Sequence, residues 1–296
     1  MFKNIVVGVD GNEGGNDAIA LARKLATDYA EITLVHIAPV TDIHGLHLVS
    51  DVADEDRDRA MLAAARRKAG IRDARLSRMS ATTVGRGLHQ AAEFRGADLL
   101  VVGSSRRGVI GRVLLGNDTH AALNGAPCAI AIAPASYAQQ PQLIREIGVA
   151  YNGSVESEHA LEVARTLASE TGAKLSAFEA IALPALAFPV GPAPLDEMIE
   201  DMIEDARTRV ASLDGVEPHA AYGNAAEELT IYSASLDLLV VGSRDYGPIG
   251  RLVHGSTSHE LARSARCPLL VLTRAARAAD AGDTALEDPT KVPADA

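Results

Sequence analysis

The sequence predicts an α/β protein of two repeated doubly wound domains, each with a five-stranded parallel sheet, paired through their fifth strands. Three observations carry this prediction: an internal repeat, an alternation of apolar and amphipathic segments within each repeat, and an aliphatic composition. Asp98-Leu99-Leu100-Val101-Val102-Gly103-Ser104 reappears as Asp237-Leu238-Leu239-Val240-Val241-Gly242-Ser243. The same spacing takes Gly108 to Gly247, Gly116 to Gly255, His120 to His259 and Cys128 to Cys267 without a gap. At a slightly longer spacing, Ile5-Val6-Val7-Gly8-Val9-Asp10-Gly11 is matched by Ile147-Gly148-Val149-Ala150-Tyr151-Asn152-Gly153. Matching at that density means duplication. One domain is expected over residues 1–138 and the second over 144–276, separated by a polar linker that begins at Ser136. Residues 277–296 bury almost nothing and read as a disordered acidic tail.

The elements follow in order. Residues 5–9 are short and wholly apolar, as in a strand buried on both faces. Residues 17–29 carry Ile19, Leu21, Ala22, Leu25 and Ala26 at helical spacing, and residues 32–37 form the next strand. Residues 54–69 are a charged amphipathic helix ending in Arg66, Arg67 and Lys68, which suit the negative end of the helix dipole. A strand over 75–83, a short helix over 88–95, a strand over 99–102, a helix containing 119–124 and a fifth strand over 129–133 complete the repeat. Alternation of this kind implies right-handed crossovers and a parallel sheet. Each fifth strand would be an exposed apolar edge in an isolated domain. Antiparallel pairing of residues 129–133 with 269–273 inside one chain removes that hazard, giving a pseudo-two-fold chain and, beyond it, a homodimer of chains.

Hydrophobic residues make up 47% of the 296-residue chain and aromatics 3%, with no Trp, so the core is built from Ala, Val, Leu and Ile. No apolar run reaches bilayer length. Met1-Phe2-Lys3-Asn4 enters the first apolar run without the regions of a signal peptide. The two cysteines exclude a disulfide framework. The expectation is a cytoplasmic protein without a membrane partner. The net charge of −11 argues against a nucleic-acid surface, which needs clustered positive charge. A small anion remains compatible, because a few backbone N–H groups and one or two arginines hold a phosphate on an acidic protein.

In a doubly wound sheet, ligands sit at the carboxyl ends of the strands, at the switch point between the first and fourth. Two loops meet there. One begins at Asp10, or Asn152 in the second half; the other is Gly-rich, runs from Gly103 to Gly116 or from Gly242 to Gly255, and leads into a helix. Glycine lets backbone approach a ligand closely, and a helix N-terminus presents free N–H groups. Ser, Thr or Asn at that point also caps the helix whether or not a ligand binds.

These residues resemble the universal stress protein family in its tandem two-domain form. The family's signature is Gly, two residues, Gly, nine residues, Gly, then Ser or Thr, combined with a Val-Asp-Gly-Ser-like turn after the first strand. Val9-Asp10-Gly11-Asn12 and Asn152-Gly153-Ser154 occupy that turn, and the signature runs from Gly103 to Gly116 and from Gly242 to Gly255. Ala126-Pro127-Cys128 and Arg266-Cys267-Pro268 ahead of the fifth strands are also family-like. The resemblance implies an adenine nucleotide alpha hydrolase-like fold. Members with the full signature bind ATP, with the Asp near adenine and ribose and the Gly loop and Ser/Thr on the phosphates. Members without it bind no nucleotide and act as dimeric stress-response proteins.

Both halves depart from the signature. Its second Gly is Arg106 in the first half and Asp245 in the second; Asn117 follows the last Gly in the first half, where the second keeps Ser256. The candidate nucleotide-binding residues are Val9, Asp10, Gly103, Arg106, Gly108, Gly116 and Asn117, and in the second half Asn152, Gly242, Gly247, Gly255, Ser256 and Thr257. Asp245 puts a carboxylate where phosphate would lie, and like charges in contact near a surface cost about 1–4 kcal/mol. Arg106, Arg107 and Arg112 add positive charge in the first half, which is the preferred pocket. Intact Ser256 and Thr257 favour the second.

The other constellations have plainer readings. His44 and His47 read as a loop rather than a metal pair, and His120 and His259 as helix-surface residues. His36 lies at a strand end near the pocket, with no catalytic role assigned. Cys128 and Cys267 read as small core residues rather than reactive thiols. Pro184, Pro189, Pro192 and Pro194 mark a stiff connector. No catalytic set and no metal ligands are assigned, and Mg²⁺ would enter only with nucleotide. The expected function is a stress-response regulatory protein that binds ATP or another adenine nucleotide in at least one pocket, with ATP hydrolysis slow and incidental. The alternative is a dimerising interaction module of the same family without nucleotide. An enzyme related to nucleotide-dependent synthetases ranks below both.

Overall fold

A computed structural model describes residues 1–43, 46–48, 52–104, 121–139, 143–182, 195–243, 257–273 and 276. The first half contains β1 (Phe2–Gly8), α1 (Glu13–Leu25), β2 (Ala26–Pro39), β3 (Thr41–Ile43), β4 (Leu46–Leu48), α2 (Val52–Ala69), β5 (Arg75–Ala81), α3 (Val84–Arg95), β6 (Leu99–Gly103) and β7 (Ala129–Ala133). The second contains β8 (Glu146–Ala150), α4 (Val155–Thr171), β9 (Lys174–Ile181), α5 (Leu195–Ala211), β10 (Glu217–Tyr222), α6 (Ala225–Tyr232), β11 (Leu238–Gly242), α7 (Thr257–Ser264) and β12 (Leu269–Leu272). Residues 121–123 are also helical. The tail at 277–296 and the proline-rich connector at 183–194 lie outside the described residues.

Ten strands form one sheet in the order β10-β9-β8-β11-β12-β7-β6-β1-β2-β5. Each half supplies five, with its first strand beside its fourth. Every neighbouring pair is parallel except β7 with β12, which run antiparallel in the register Leu269 to Ile132, Leu270 to Ala131 and Val271 to Ile130. The fifth strands therefore close on each other, as the edge argument predicts. All five residues of β7 are buried.

The sheet is covered on both faces, which is why its central strands are apolar without alternation. Ile5, Val7, Leu99 and Val101 face a core shared with Leu21 and Leu25 of α1 and Leu62 of α2. Val6, Leu100, Ile130 and Ile132 face the other, with Leu88 of α3 and Leu261 of α7. Each core contains residues from both halves. Cys128 and Cys267 are buried in the second core. Burial pushes the Cys128 thiol up to about 12 and the Cys267 thiol up as well, which fits packing rather than thiolate chemistry.

The duplicated Asp98 and Asp237 clamp the first strand of each half. Asp98 accepts from the Lys3 and Asn4 amides at 2.8 and 3.0 Å, and Asp237 from the Arg145 and Glu146 amides at 2.8 and 3.1 Å. A buried carboxylate ties α1 to the linker: Asp17 accepts from the Ser136 and Ala138 amides at 2.9 and 2.7 Å. Nearby, the Lys24 ammonium stands 4.5 Å over the Tyr137 ring.

Three local expectations are corrected. The first helix ends at Leu25, not at residue 29, and the chain turns extended at Ala26. Its counterpart α4 does run on to Thr171, because Gly172 adopts a left-handed φ of 70° and closes the helix; Ala30 stands at the matching place in the first half. The helix expected over 88–95 begins at Val84, where Thr83 caps it through Arg86 N–H. Gly85 and Gly87 weaken the local helix signal, but a Cβ on Gly87 would press on Ile37, so close packing rather than propensity sets them. The segment after the second strand, expected to be irregular, forms the antiparallel pair β3–β4.

Two predictions follow from these carboxylates. Asp98→Ala leaves two strand amides without their acceptor and should lower unfolding free energy by about 1–3 kcal/mol in urea titration; an unchanged midpoint would show the clamp to be idle. Burial raises the Asp17 carboxyl above its ordinary value, against the pull of its two amide donors. The folded chain then holds that proton more tightly than the unfolded one, so the Asp17 contribution falls as pH rises between its unfolded and folded values. Denaturation at a series of pH values should show wild type losing stability relative to Asp17→Asn across that interval, and the reverse slope would contradict the assignment.

Candidate functional site

At the carboxyl end of β1 the chain turns sharply into α1. Asp10 accepts from the Asn12 backbone N–H at 3.0 Å and from the Asn12 side-chain amide at 2.6 Å, and Gly11 takes a left-handed φ of 78°. The second half repeats this turn: Asn152 accepts from Ser154 N–H at 3.1 Å, and Gly153 has φ 69°. Asp10 and Asn152 thus share a local task, shaping the turn, whether or not a ligand is near. Ser154 also caps α4 through Ser157 N–H at 3.3 Å, whereas Asn12 makes no side-chain cap on α1. Val9 is buried, and its N–H donates to the Val35 carbonyl at 2.8 Å.

Gly103 and Gly242 end β6 and β11 against the first turns of α1 and α4. A Cβ on Gly103 would collide with the Gly14 carbonyl, and one on Gly242 with the Glu156 carbonyl. The opening glycine of each loop is therefore required by strand-to-helix contact, independently of any ligand. The structure brings Val9, Asp10 and Gly103 together at one sheet end, and Asn152 and Gly242 at the other. Thr257 opens α7. Arg106, Gly108, Gly116, Asn117, Gly247, Gly255 and Ser256 lie outside the described residues, as do His44 and His120.

Ser104, which directly follows Gly103, was not singled out by sequence. Among the described residues its buried hydroxyl has no hydrogen-bond partner, as is true of the Thr27 and Thr33 hydroxyls, and its backbone carbonyl comes within 3.1 Å of a Cβ placed on Gly14. Of the three, Ser104 is the one that follows the carboxyl end of a central strand. Among the described residues, no three His, Cys, Asp or Glu side chains gather as a metal site.

The two pockets differ in charge. Around the first turn stand Asp10, Glu13, Gly14, Asn16 and His36; the matching positions carry Asn152, Val155, Glu156, Glu158 and Glu179. Tyr151 takes the place of Val9, and burial, then the Glu158 and Glu179 carboxylates, push its phenol above the ordinary value. The repeat alignment carries this signal once the turns are matched, since His36 follows Val35 as Glu179 follows Phe178 in equivalent contacts to the first strands. The second turn thus carries three carboxylates to the first turn's two, with Glu179 paired to Arg209 at 2.8 Å.

Among the described residues no helix is long and apolar enough to cross a membrane. The universal stress protein family model matches residues 1–134 and again 144–273. A universal stress protein of Mycobacterium tuberculosis, Rv2005c, is 28% identical over 289 residues, covering 90% of this chain and 96% of that protein. The crystal structure of a universal stress protein from Archaeoglobus fulgidus superimposes with a TM-score of 0.64 at 17% identity, over 92% of this chain and 98% of that one. That of a putative universal stress protein from Pseudomonas aeruginosa gives 0.62 at 16% identity, over 97% and 98%. With the family matched in each half and the doubly wound fold repeated across one sheet, the chain belongs to the universal stress protein family, in tandem form.

Proposed function

We propose that this chain is a regulatory binding protein that holds an adenine nucleotide in its first-half pocket. In this reading residues 1–138 form the binding domain and residues 144–276 a paired domain whose pocket no longer takes the anion. The observation that carries the reading is the meeting of the Asp10 turn with the end of β6 at Gly103, followed by the buried Ser104, whose hydroxyl is unpaired among the described residues and which leads into an arginine-bearing, Gly-rich sequence. The contrast in charge between the halves supports the choice of pocket. Arg106 stands in the first Gly loop where Asp245 stands in the second, and the second turn has Glu156, Glu158 and Glu179 against Asp10 and Glu13 at the first.

In the proposed complex Asp10 takes the sugar and base, and Arg106, Gly108, Gly116 and Asn117 take the phosphates. Mg²⁺ would arrive with the nucleotide, bound mainly by phosphate oxygens and water. The chain's own part is to orient and retain the ligand; any turnover would be slow.

Isothermal titration of the full chain with ATP tests this. One nucleotide should bind per chain. Asp10→Ala and Gly116→Val should each weaken binding by about tenfold or more, equivalent to about 1.4 kcal/mol. Asn152→Ala should leave affinity within about twofold, well under that. Phosphate release followed in the same samples should stay far below stoichiometric turnover. Absence of binding to wild type would instead favour the interaction module, and loss confined to the Asn152 variant would move the site to the second half.

A further inference from the structure

The first turn is fastened by a side chain for which the second half has no equivalent. Val9 N–H donates to the Val35 carbonyl at 2.8 Å, and Tyr151 N–H to the Phe178 carbonyl at 2.9 Å, so that contact is common to both halves. The Val9 carbonyl takes a further bond from His36 Nδ1 at 2.8 Å. A carbonyl only accepts, so Nδ1 carries the proton. Glu179, in the matching position, has no proton to give when ionised, and Arg209 engages it at 2.8 Å.

The other face of the His36 ring is also occupied. Nε2 lies 3.5 Å from Asp58 Oδ1 on α2, with the two side chains only 19% and 17% exposed. Asp58 is in turn held by Arg78 Nε at 2.9 Å, from the residue of β5 in register with His36. Arg78 also reaches Glu55 Oε1 at 3.7 Å and Ser80 Oγ at 3.5 Å. The ring thus lies between the Val9 carbonyl, to which Nδ1 donates, and the Asp58–Arg78 pair, which Glu55 extends. α2 meets the turn a second time through Met61, whose Cγ would lie 2.9 Å from a Cβ on Gly11.

We propose that His36 is a positioning residue of the first pocket, a clasp that holds the turn at residues 9–12 in its ligand-receiving form. Its Nδ1–H bonds the Val9 carbonyl, and the Asp58–Arg78 pair behind Nε2 keeps the ring in that orientation, tying the end of β1 to β2, α2 and β5. The choice of ligand rests on the nucleotide reading above; the clasp itself rests on the contacts of His36.

The test uses the full chain as wild type, His36→Gln and His36→Leu, with thermal unfolding recorded for each. Amide hydrogen exchange at residues 10–12 is followed without ligand, and ATP affinity is measured under the same conditions. His36→Leu, which has no donor, should exchange about tenfold faster at the turn and bind ATP about tenfold more weakly. His36→Gln, which keeps a donor, should restore both to within about threefold. Equal behaviour of the Leu and Gln variants would overturn the clasp. If wild type binds no ATP, the nucleotide reading fails and the exchange rates alone decide the role of His36. If His36→Leu does not fold, Asp58→Asn, which removes the charge behind Nε2 and leaves the donor, should speed exchange at the turn severalfold, and an unchanged rate would overturn the clasp.

Discussion

The antiparallel pairing of β7 with β12 is the contact on which the rest of the molecule depends. Each strand is apolar on both faces and buried throughout, so neither could be left as an edge without inviting association. Joining them makes one ten-stranded sheet from two five-stranded ones and lets the cores on both faces run through the centre. Ala131 opposes Leu270 on one face, while Ile130 opposes Val271 and Ile132 opposes Leu269 on the other. Thr273 Oγ donates to the Cys128 carbonyl at 3.1 Å, so the end of β12 is held at the start of β7. The remaining sheet edges, β5 and β10, carry Arg75 and Arg78 or Glu217 and Pro218, residues that suit exposed edges.

Holding the two halves back to back also fixes their turns at separate carboxyl ends of the sheet. Duplication then supplies the same backbone twice, and side chains are free to diverge. The Asp10 and Asn152 turns are nearly superposable in their hydrogen bonding, and Gly103 and Gly242 meet the following helices in the same way. Around that shared backbone the chemistry separates. The first turn is bound by an imidazole backed by a carboxylate–guanidinium pair, while at the second burial, then the Glu158 and Glu179 carboxylates, raise the Tyr151 phenol. Backbone geometry is held by packing that a substitution in the pocket does not disturb, so one half can retain an anion site while the other drifts.

The glycines illustrate how the same residue serves packing and binding at once. Gly103 reads as the first residue of a phosphate loop, yet its missing Cβ is already required by the Gly14 carbonyl. Asp10 reads as a ligand residue, yet it is fully engaged in shaping its own turn. Neither observation opposes ligand binding. They show that packing and turn geometry already require both residues, with or without a ligand.

Much of the architecture was legible in the sequence. The repeat from Asp98 to Asp237, the fully apolar Ile5-Val6-Val7 and Leu99-Leu100-Val101-Val102, and the unprotected fifth strands together dictated two doubly wound halves joined at an internal edge. These features are local or periodic, and burial on both faces writes them directly into residue type. The end of α1 at Leu25 was not legible, because Ala30 and Gly172 differ only in their tolerance for a left-handed cap that the flanking chain must call for. Nor was the work of Gly85 and Gly87, which answers to Ala121 and Ile37 across the fold. The character of the candidate site was decided by tertiary structure alone. His36, Val9, Asp58 and Arg78 meet only because β2 lies between β1 and β5 under α2, and strand order brings together charges whose separation along the chain hides their coupling.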